Sequence, residues 1–421
     1  MTTDLIQDIA GCGTTQPGDA DTDVGAGLLT LNAGSSSIKF ALYDVRSLRR
    51  RAAGLIDAID GASRFRARDC IAPGKEWDET VHAPDHVHAL KSIIEWIERD
   101  MHGLVVVAIG HRVVHGGMRF ERPVLIDPDV VEQLRALVPL APLHQPHNLA
   151  GIEAAHEAFG DVPQVACFDT AFHRAHPFLS DCFALPRELY DAGVRRYGFH
   201  GLSYEYVAQY LHAHYPHHAA GRVLVAHLGN GASMCAMRDG RSVASTMGFS
   251  VLDGLPMGTR CGQLDPGVLL YLIQQQGMDV KQVSSMLYER SGLLGLSGGI
   301  SNDMRVLLAS ERPEAREAIG YFVSRIRREI GGLAAALEGL DAIVFTGGIG
   351  ENAAPIRERV LAGMAWIGVE IDEARNLNNE TVLSSSRSRV LALRVATDEE
   401  GMIARHTLET ANIAMVSGEV S

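Results

Sequence analysis

Lysine is almost missing from these 421 residues: Lys39, Lys75, Lys91 and Lys281 stand against 34 arginines. A bias in genome composition is the simplest cause, and it makes Lys39, inside a Gly/Ser-rich turn, more noticeable. Basic residues are also too few to balance 51 acidic ones, and the net charge of −13 excludes nucleic acid or an anionic membrane as the expected partner. The six cysteines (Cys12, Cys70, Cys167, Cys182, Cys235 and Cys261) show no C-x-x-C spacing, which fits reduced thiols in a cytoplasmic protein. No apolar run approaches the length of a membrane span, and no basic segment precedes an apolar core at the N-terminus. The absence of G-x-x-x-x-G-K-[ST] and G-x-G-x-x-G removes P-loop and dinucleotide-binding enzymes from consideration.

Glycine is what the chain has in quantity, and its placement is informative. Leu28-Leu29-Thr30-Leu31 runs into Asn32-Ala33-Gly34-Ser35-Ser36-Ser37 and out through Ile38-Lys39-Phe40. Val223-Leu224-Val225-Ala226-His227-Leu228 runs into Gly229-Asn230-Gly231 and out through Ala232-Ser233-Met234. A third apolar run, Ala342-Ile343-Val344-Phe345, ends in Thr346-Gly347-Gly348-Ile349-Gly350-Glu351-Asn352 and a helical pattern. Small residues let backbone N–H groups crowd an anion, and a helix N-terminus adds its dipole. Each loop alone reads equally well as an ordinary turn; two similar hairpins and a third loop together point to phosphate binding.

The chain exceeds the roughly 250 to 300 residues at which a single core stops growing, so two domains are expected. Residues 1–26, rich in Asp, Gly and Thr, read as a flexible extension. Strands are expected at 28–32, 38–43, 104–109 and 163–168, with helices from about Val87 to Met101 and from Pro128 behind an Asp127 cap. The order then begins again, with a helix near 201–213, a hairpin at 223–238 turning at Asp239-Gly240, and helices at 265–276, 280–290 and 313–338. Strands near 342–346 and 389–396 and a helix from about Asp398 follow. This is an α/β protein. Its domains are expected at 27–172 plus about 400–421, and at 173–399.

Two α/β halves with matching hairpins resemble the duplicated ribonuclease-H-like architecture of the actin, Hsp70 and sugar-kinase superfamily, which holds ATP in an interdomain cleft. Seven motifs narrow this further. Asn32 to Lys39, Gly110-His111-Arg112-Val113-Val114-His115-Gly116-Gly117, Phe168-Asp169-Thr170-Ala171-Phe172-His173 and Tyr197-Gly198-Phe199-His200-Gly201 are four of them. His227 to Gly231, Met257-Gly258-Thr259-Arg260 and Phe345 to Asn352 complete the set. In this order they resemble the acetate kinase family, from about Leu28 to the C-terminus.

The resemblance implies reversible phosphoryl transfer from ATP to acetate, giving acetyl phosphate and ADP, with propionate as the alternative acceptor. A carboxylate is already ionised at neutral pH and needs no general base, so catalysis falls to positioning and charge neutralisation. Arginine's planar, permanently charged fork suits that task. By resemblance, Arg112 and Arg260 flank the acceptor and the migrating phosphoryl group, His200 donates to phosphoryl oxygens, and Asp169 aligns Arg112 or magnesium. Val114, Leu143, His144, Phe199 and Val251 surround the acyl group. Val251 stands where many members have proline.

ATP falls to Lys39, to His227, Leu228, Gly229, Asn230 and Gly231, to Asp303, Met304 and Arg305, and to Gly348, Ile349, Gly350, Glu351 and Asn352. Asn32 and Glu399, with Glu400 as the latter's neighbour, match the Mg²⁺ positions; Mn²⁺ is the expected substitute. A homodimer is implied. The competing class is a nonenzymatic Hsp70-like clamp, for which no peptide-binding segment is visible.

Overall fold

The computed structural model describes residues 25–413, with residues 73 and 102 excepted. The expected N-terminal extension, up to residue 24, lies outside the described residues. The chain divides into two compact units, one running to Ala171 and resuming at Asp398, the other Phe172–Thr397. The second boundary thus falls before Asp398 and not after Glu399, which puts Glu399 in the first unit.

The first unit is built on β1 (Gly25–Ala33), whose Leu28, Leu29 and Leu31 are buried on both faces of the sheet. Antiparallel neighbours extend from it on one side: β2 (Ile38–Asp44), β3 (Arg50–Asp57), β4 (Arg64–Asp69) and β5 (Glu76–Thr80). On the other side β6 (Leu104–Val113) and β8 (Gln164–Phe168) run parallel to it, and β7 (Val124–Leu125) closes the edge. Helices His86–Asp100 and Gln145–Phe159 cover one face, where Leu90, Ile93, Trp96 and Ala155 meet Leu29, Leu31, Phe40 and Leu42. Helix Glu399–Thr410 covers the opposite face, setting Ala404 and Leu408 against Leu28, Ala41 and Ala108.

The second unit repeats the plan. β9 (Arg222–Leu228) lies between antiparallel β10 (Ala232–Arg238) and parallel β12 (Ala342–Thr346), with β11 (Arg241–Ser245) and β13 (Leu391–Arg394) outside them. The order β11-β10-β9-β12-β13 reproduces β3-β2-β1-β6-β8, including the sense of every pairing. Asp239 and Gly240 join β10 to β11 with φ of 52° and 68°, the two left-handed residues of a type I′ turn. Helix Gly201–His214 packs Tyr204, Val207 and Leu211 onto Val223, Val225 and Val344. Helix Pro313–Leu337 lies against β9, β10 and β11.

Cys167, Cys182, Cys235 and Cys261 are free thiols, but Cys70 is disulfide-bonded, so the expectation of an all-reduced set is corrected there. Sequence spacing says nothing about thiols brought together through space. No helix among the described residues is long and apolar enough to cross a membrane.

Candidate active site

In the first unit the reactive groups gather at the C-terminal ends of the parallel strands. Arg112 and Cys167 are register partners in β6 and β8, so Asp169, just beyond β8, sits beside the Arg112 side chain. Arg112 donates from Nε to Asp169 Oδ1 at 3.1 Å and from Nη2 to Oδ2 at 2.7 Å. This fork-to-fork contact is the strong geometry for a charged pair. Asp169 is 2 % exposed and Arg112 retains 21 % of its side-chain surface, so the arginine is less enclosed than its partner.

Glu399 completes the group. Asp398 caps its helix by accepting from Gly401 N–H and also pairs with Arg50. That leaves the next residue, Glu399, to approach Arg112 Nε to 3.9 Å. Burial pushes the Glu399 carboxyl up to about 7; Arg112 and Lys39 work against burial, while Asp169 and Glu400 add to it. Burial opposes the charge on Arg112, but Asp169, Glu399 and Glu400 outweigh it and hold the guanidinium protonated. Asn32 and Lys39 face each other across β1 and β2, on either side of the Gly34–Ser37 turn. Val114 is buried and its N–H bonds Asn148 Oδ1 at 3.0 Å, while Asn148 Nδ2 reaches Ala33 O at 3.2 Å, tying the Arg112 segment to the first glycine-rich hairpin. His144 lies at the N-cap of helix Gln145–Phe159, and Leu143 before it is 45 % exposed.

The second unit presents two histidines stacked face to face. His200 and His227 have ring centroids 4.3 Å apart and planes at 20°. Each is oriented through Nδ1, His200 by Ser233 Oγ and His227 by Ser203 Oγ, both at 2.8 Å. Tyr204 OH bonds the same Ser233 hydroxyl. A Cβ at Gly231 would lie 3.0 Å from His200 Nε2 and 2.9 Å from Arg260 Nη2, so only glycine lets the hairpin, the imidazole and the guanidinium share this point. Arg260 is aimed by its Nη1, which donates to Val251 O at 2.9 Å.

The remaining predicted residues form the surroundings of that hairpin. Gly258 N–H bonds Asn230 O at 3.2 Å, and a Cβ at Gly229 would stand 3.9 Å from Gly348 N. Leu228 is buried at the end of β9. Gly348 and Ile349 lie in the first turn of helix Gly347–Asn352, and nothing approaches the Cα of Gly348 on its side-chain side. Asp303 caps helix Met304–Ala309 and pairs with Arg305 at 2.6 Å, and Met304 is buried beneath them. Glu351 turns inward, where Oε1 accepts from Gly347 N–H at 2.9 Å and Thr397 N–H at 3.2 Å. Asn352 likewise bonds Gly348 O at 3.0 Å. These two side chains shape the loop from behind. Arg357, fully buried, holds the same loop through Gly350 O and Glu351 O, both at 2.9 Å.

The structure thus assembles Arg112, Asp169, Glu399, Asn32 and Lys39 in one unit and His200, His227, Gly229 to Gly231, Arg260, Val251 and Gly348 in the other. Sequence reading missed Ser203, Ser233, Asn148 and Arg357, which orient them. A Ser or Asn in an apolar run has no local signature; its partner is distant in sequence. His111 and His115, four apart, do not share a helix: His111 lies in β6 and bonds Gln164 Oε1 at 2.7 Å.

A five-stranded sheet repeated with identical order and sense, each copy led by a glycine-rich hairpin, defines the two-domain actin-like ATPase fold, and the family match makes the chain a phosphotransferase. Residues 27–405 match the Acetokinase family, and the chain belongs to it. It is 58% identical over 393 residues to an acetate kinase of Methylocella silvestris, covering 90% of this chain and 97% of that one. Among solved structures it resembles Porphyromonas gingivalis acetate kinase (TM-score 0.84, 35% identity, 92% of this chain and 100% of that one). It also resembles a propionate kinase from Francisella tularensis subsp. tularensis (TM-score 0.86, 37% identity, 91% and 99%).

Proposed function

We propose that the chain transfers the γ-phosphoryl group of ATP reversibly to acetate, giving acetyl phosphate and ADP. The observation that carries the reading is the engagement of both Asp169 oxygens by Arg112. A sugar kinase needs a carboxylate ready to take a hydroxyl proton, whereas here the buried carboxylate is spent on aiming a guanidinium. An acceptor that is already an anion requires that arrangement.

Arg112 binds the acetate carboxylate through its accessible surface and offsets repulsion between it and the incoming phosphoryl oxygens. Arg260 and His200 Nε2, converging at Gly231, donate to phosphoryl oxygens as charge shifts in the transition state. Val114, Leu143 and His144 of the first unit, and Phe199 and Val251 of the second, are the residues assigned to the methyl group. Lys39 and the His227 to Gly231 hairpin receive the β- and γ-phosphates, and Gly348 and Ile349 the α-phosphate and ribose. Met304 is the apolar platform for adenine, flanked by Asp303 and Arg305, while Gly350, Glu351 and Asn352 keep the loop in shape.

Mg²⁺ fits the oxygen donors present, Asn32 and Glu399. Mg²⁺ keeps several waters and is held by one or two protein oxygens together with substrate phosphates, so two such donors suffice. Asn32 and Glu399 would hold the ion, which would supply neutralisation of phosphate charge; Mn²⁺ would suit the same oxygen donors. We place the reaction in the cytoplasm. A homodimer is supported by helix Pro266–Gln274, which exposes Val268, Leu270, Tyr271 and Ile273 together.

Acyl hydroxamate formation from acetate, propionate and butyrate with MgATP tests the reading, with acetate expected to be used most efficiently. An extra methylene in an apolar pocket is worth about 1 to 3 kcal/mol, so propionate follows as the weaker substrate. Preference for propionate would move the assignment to the second reading, which Val251 in the acyl wall favours.

A further inference from the structure

His200 owes its position to a buried relay behind it. Its φ of 58° is left-handed, an unusual state for a side chain that must be placed accurately, and no side chain caps the helix that begins after it. The preceding carbonyl, Phe199 O, lies 3.0 Å from His173 Nε2. A carbonyl only accepts, so Nε2 carries the proton and His173 Nδ1 is an acceptor. Ser242 Oγ, 2.8 Å from Nδ1, must then donate to it. With its one proton committed, Ser242 accepts from His176 Nε2 at 2.6 Å. Every tautomer in this chain of bonds is fixed by the next. Burial pushes His173 down to about 4 and His176 to about 2, consistent with two neutral rings. Gly198 has a φ of 72°, and a Cβ there would fall 2.6 Å from the His173 ring, so the ring packs directly on the backbone that leads to His200.

We propose that His173, with its tautomer set by Ser242, is a positioning residue for phosphoryl transfer, acting through the Phe199 carbonyl to hold His200 in its left-handed conformation. Ser233 fixes the ring of His200; His173 fixes its backbone. The inference rests on the reading of His200 as a phosphoryl-oxygen donor.

The test compares His173→Ala, His173→Gln, His173→Asn and Ser242→Ala for kcat, for KM of MgATP and for the ring ¹H–¹⁵N NMR signals of His200. His173→Ala should lower kcat about ten- to a hundredfold, as a misplaced catalytic group does, with KM changed by less than about twofold. Glutamine can carry an N–H where Nε2 was and should recover most of the loss; asparagine, too short, should not. Ser242→Ala should shift kcat the same way but less, and it decides the matter if His173→Ala does not fold. Unchanged kcat in folded His173→Ala or Ser242→Ala, or equal losses for glutamine and asparagine, would overturn the inference. If the unmodified protein phosphorylates no carboxylate, the functional reading fails, and the His200 signals still decide this one: moved in the variants they support it, unmoved they refute it.

Discussion

Arg112 and Asp169 meet as two parallel forks, Nε to Oδ1 and Nη2 to Oδ2, from the ends of adjacent parallel strands. The carboxylate fixes the plane of the guanidinium, while the Arg112 side chain as a whole keeps 21 % of its surface accessible. Asp169→Ala should therefore free Arg112 to rotate and lower kcat by about 10² to 10³, the scale for losing a preorganised donor. Asp169→Asn, which keeps one acceptor, should lose less. Steady-state kinetics on protein with an unchanged thermal melt is the check, and near wild-type turnover in Asp169→Ala would remove the aligning role.

Glu399 approaches Arg112 while Asp398 is occupied by capping and by Arg50. Glu399→Gln should raise the Mg²⁺ concentration for half-maximal activity on the order of tenfold and leave the acetate KM comparatively unmoved. Titrating Mg²⁺ at saturating nucleotide distinguishes this from Glu400→Gln, expected to behave like the parent. A shift in Glu400→Gln alone would transfer the role by one position.

Much of this arrangement could be read from the chain. The two hairpins, the Asp127 cap, the helix start near Asp398, the Asp239-Gly240 turn and the long apolar stripe of Pro313–Leu337 all have local causes, and each stands where expected. β3 and β4 were not legible, because Arg50, Arg51, Arg64, Arg66 and Arg68 obscure the apolar alternation, and β5 was not because Trp77 is its one apolar residue. Arg66 is in fact buried, neutralised by Asp57 from the adjacent strand. Helix Gln145–Phe159 was missed because Gln145 and Asn148 occupy its buried face to bond distant carbonyls. The charged residues assigned to the site were picked out through motifs, whereas the hydroxyls and amides that orient them could be recognised only in three dimensions.

Two buried histidines, His111 and His173, and the half-buried His176 set a pH limit on stability. His111 and His173 are pushed down to about 4 and His176 to about 2, burial being the first cause in each. Unfolded, each titrates near 6.5. Between about 6.5 and 4 the unfolded chain therefore binds protons that the folded chain refuses, and stability falls with pH by up to about 1.4 kcal/mol per group per unit. Glu399, raised to about 7, acts in the opposite sense over part of that range. The melting temperature should drop between pH 7 and 5, and His111→Gln should flatten the slope. A melt independent of pH over this interval would refute the argument.

Arg357 is a buried cation whose hydrogen-bond partners are amides: Gly350 O, Glu351 O, Asn376 Oδ1 and O, and Asn379 Oδ1. Burial, with Arg394 nearby, lowers its pKa to about 10. Arg357→Ala strands several acceptors, so a loss of at least about 3 kcal/mol is expected. Lysine, a point charge without the fork, should recover little. Urea unfolding measures the loss, and KM for MgATP should rise in whatever folds, because the Gly347–Asn352 loop loses its tether.

The return of helix Glu399–Thr410 to the first unit orders events during synthesis. Every residue of the second unit leaves the ribosome before that helix does, and all its strands are then available to pair. The first unit's sheet must wait, with Leu28, Ala41 and Ala108 uncovered, until Ala404 and Leu408 emerge. At about 5 to 20 residues per second the wait for the 226-residue second unit is some tens of seconds at the slow end. The half translated first is thus the half completed last, and a released chain ending at Thr397 should display a protease-resistant second unit tethered to an open, chaperone-seeking first one.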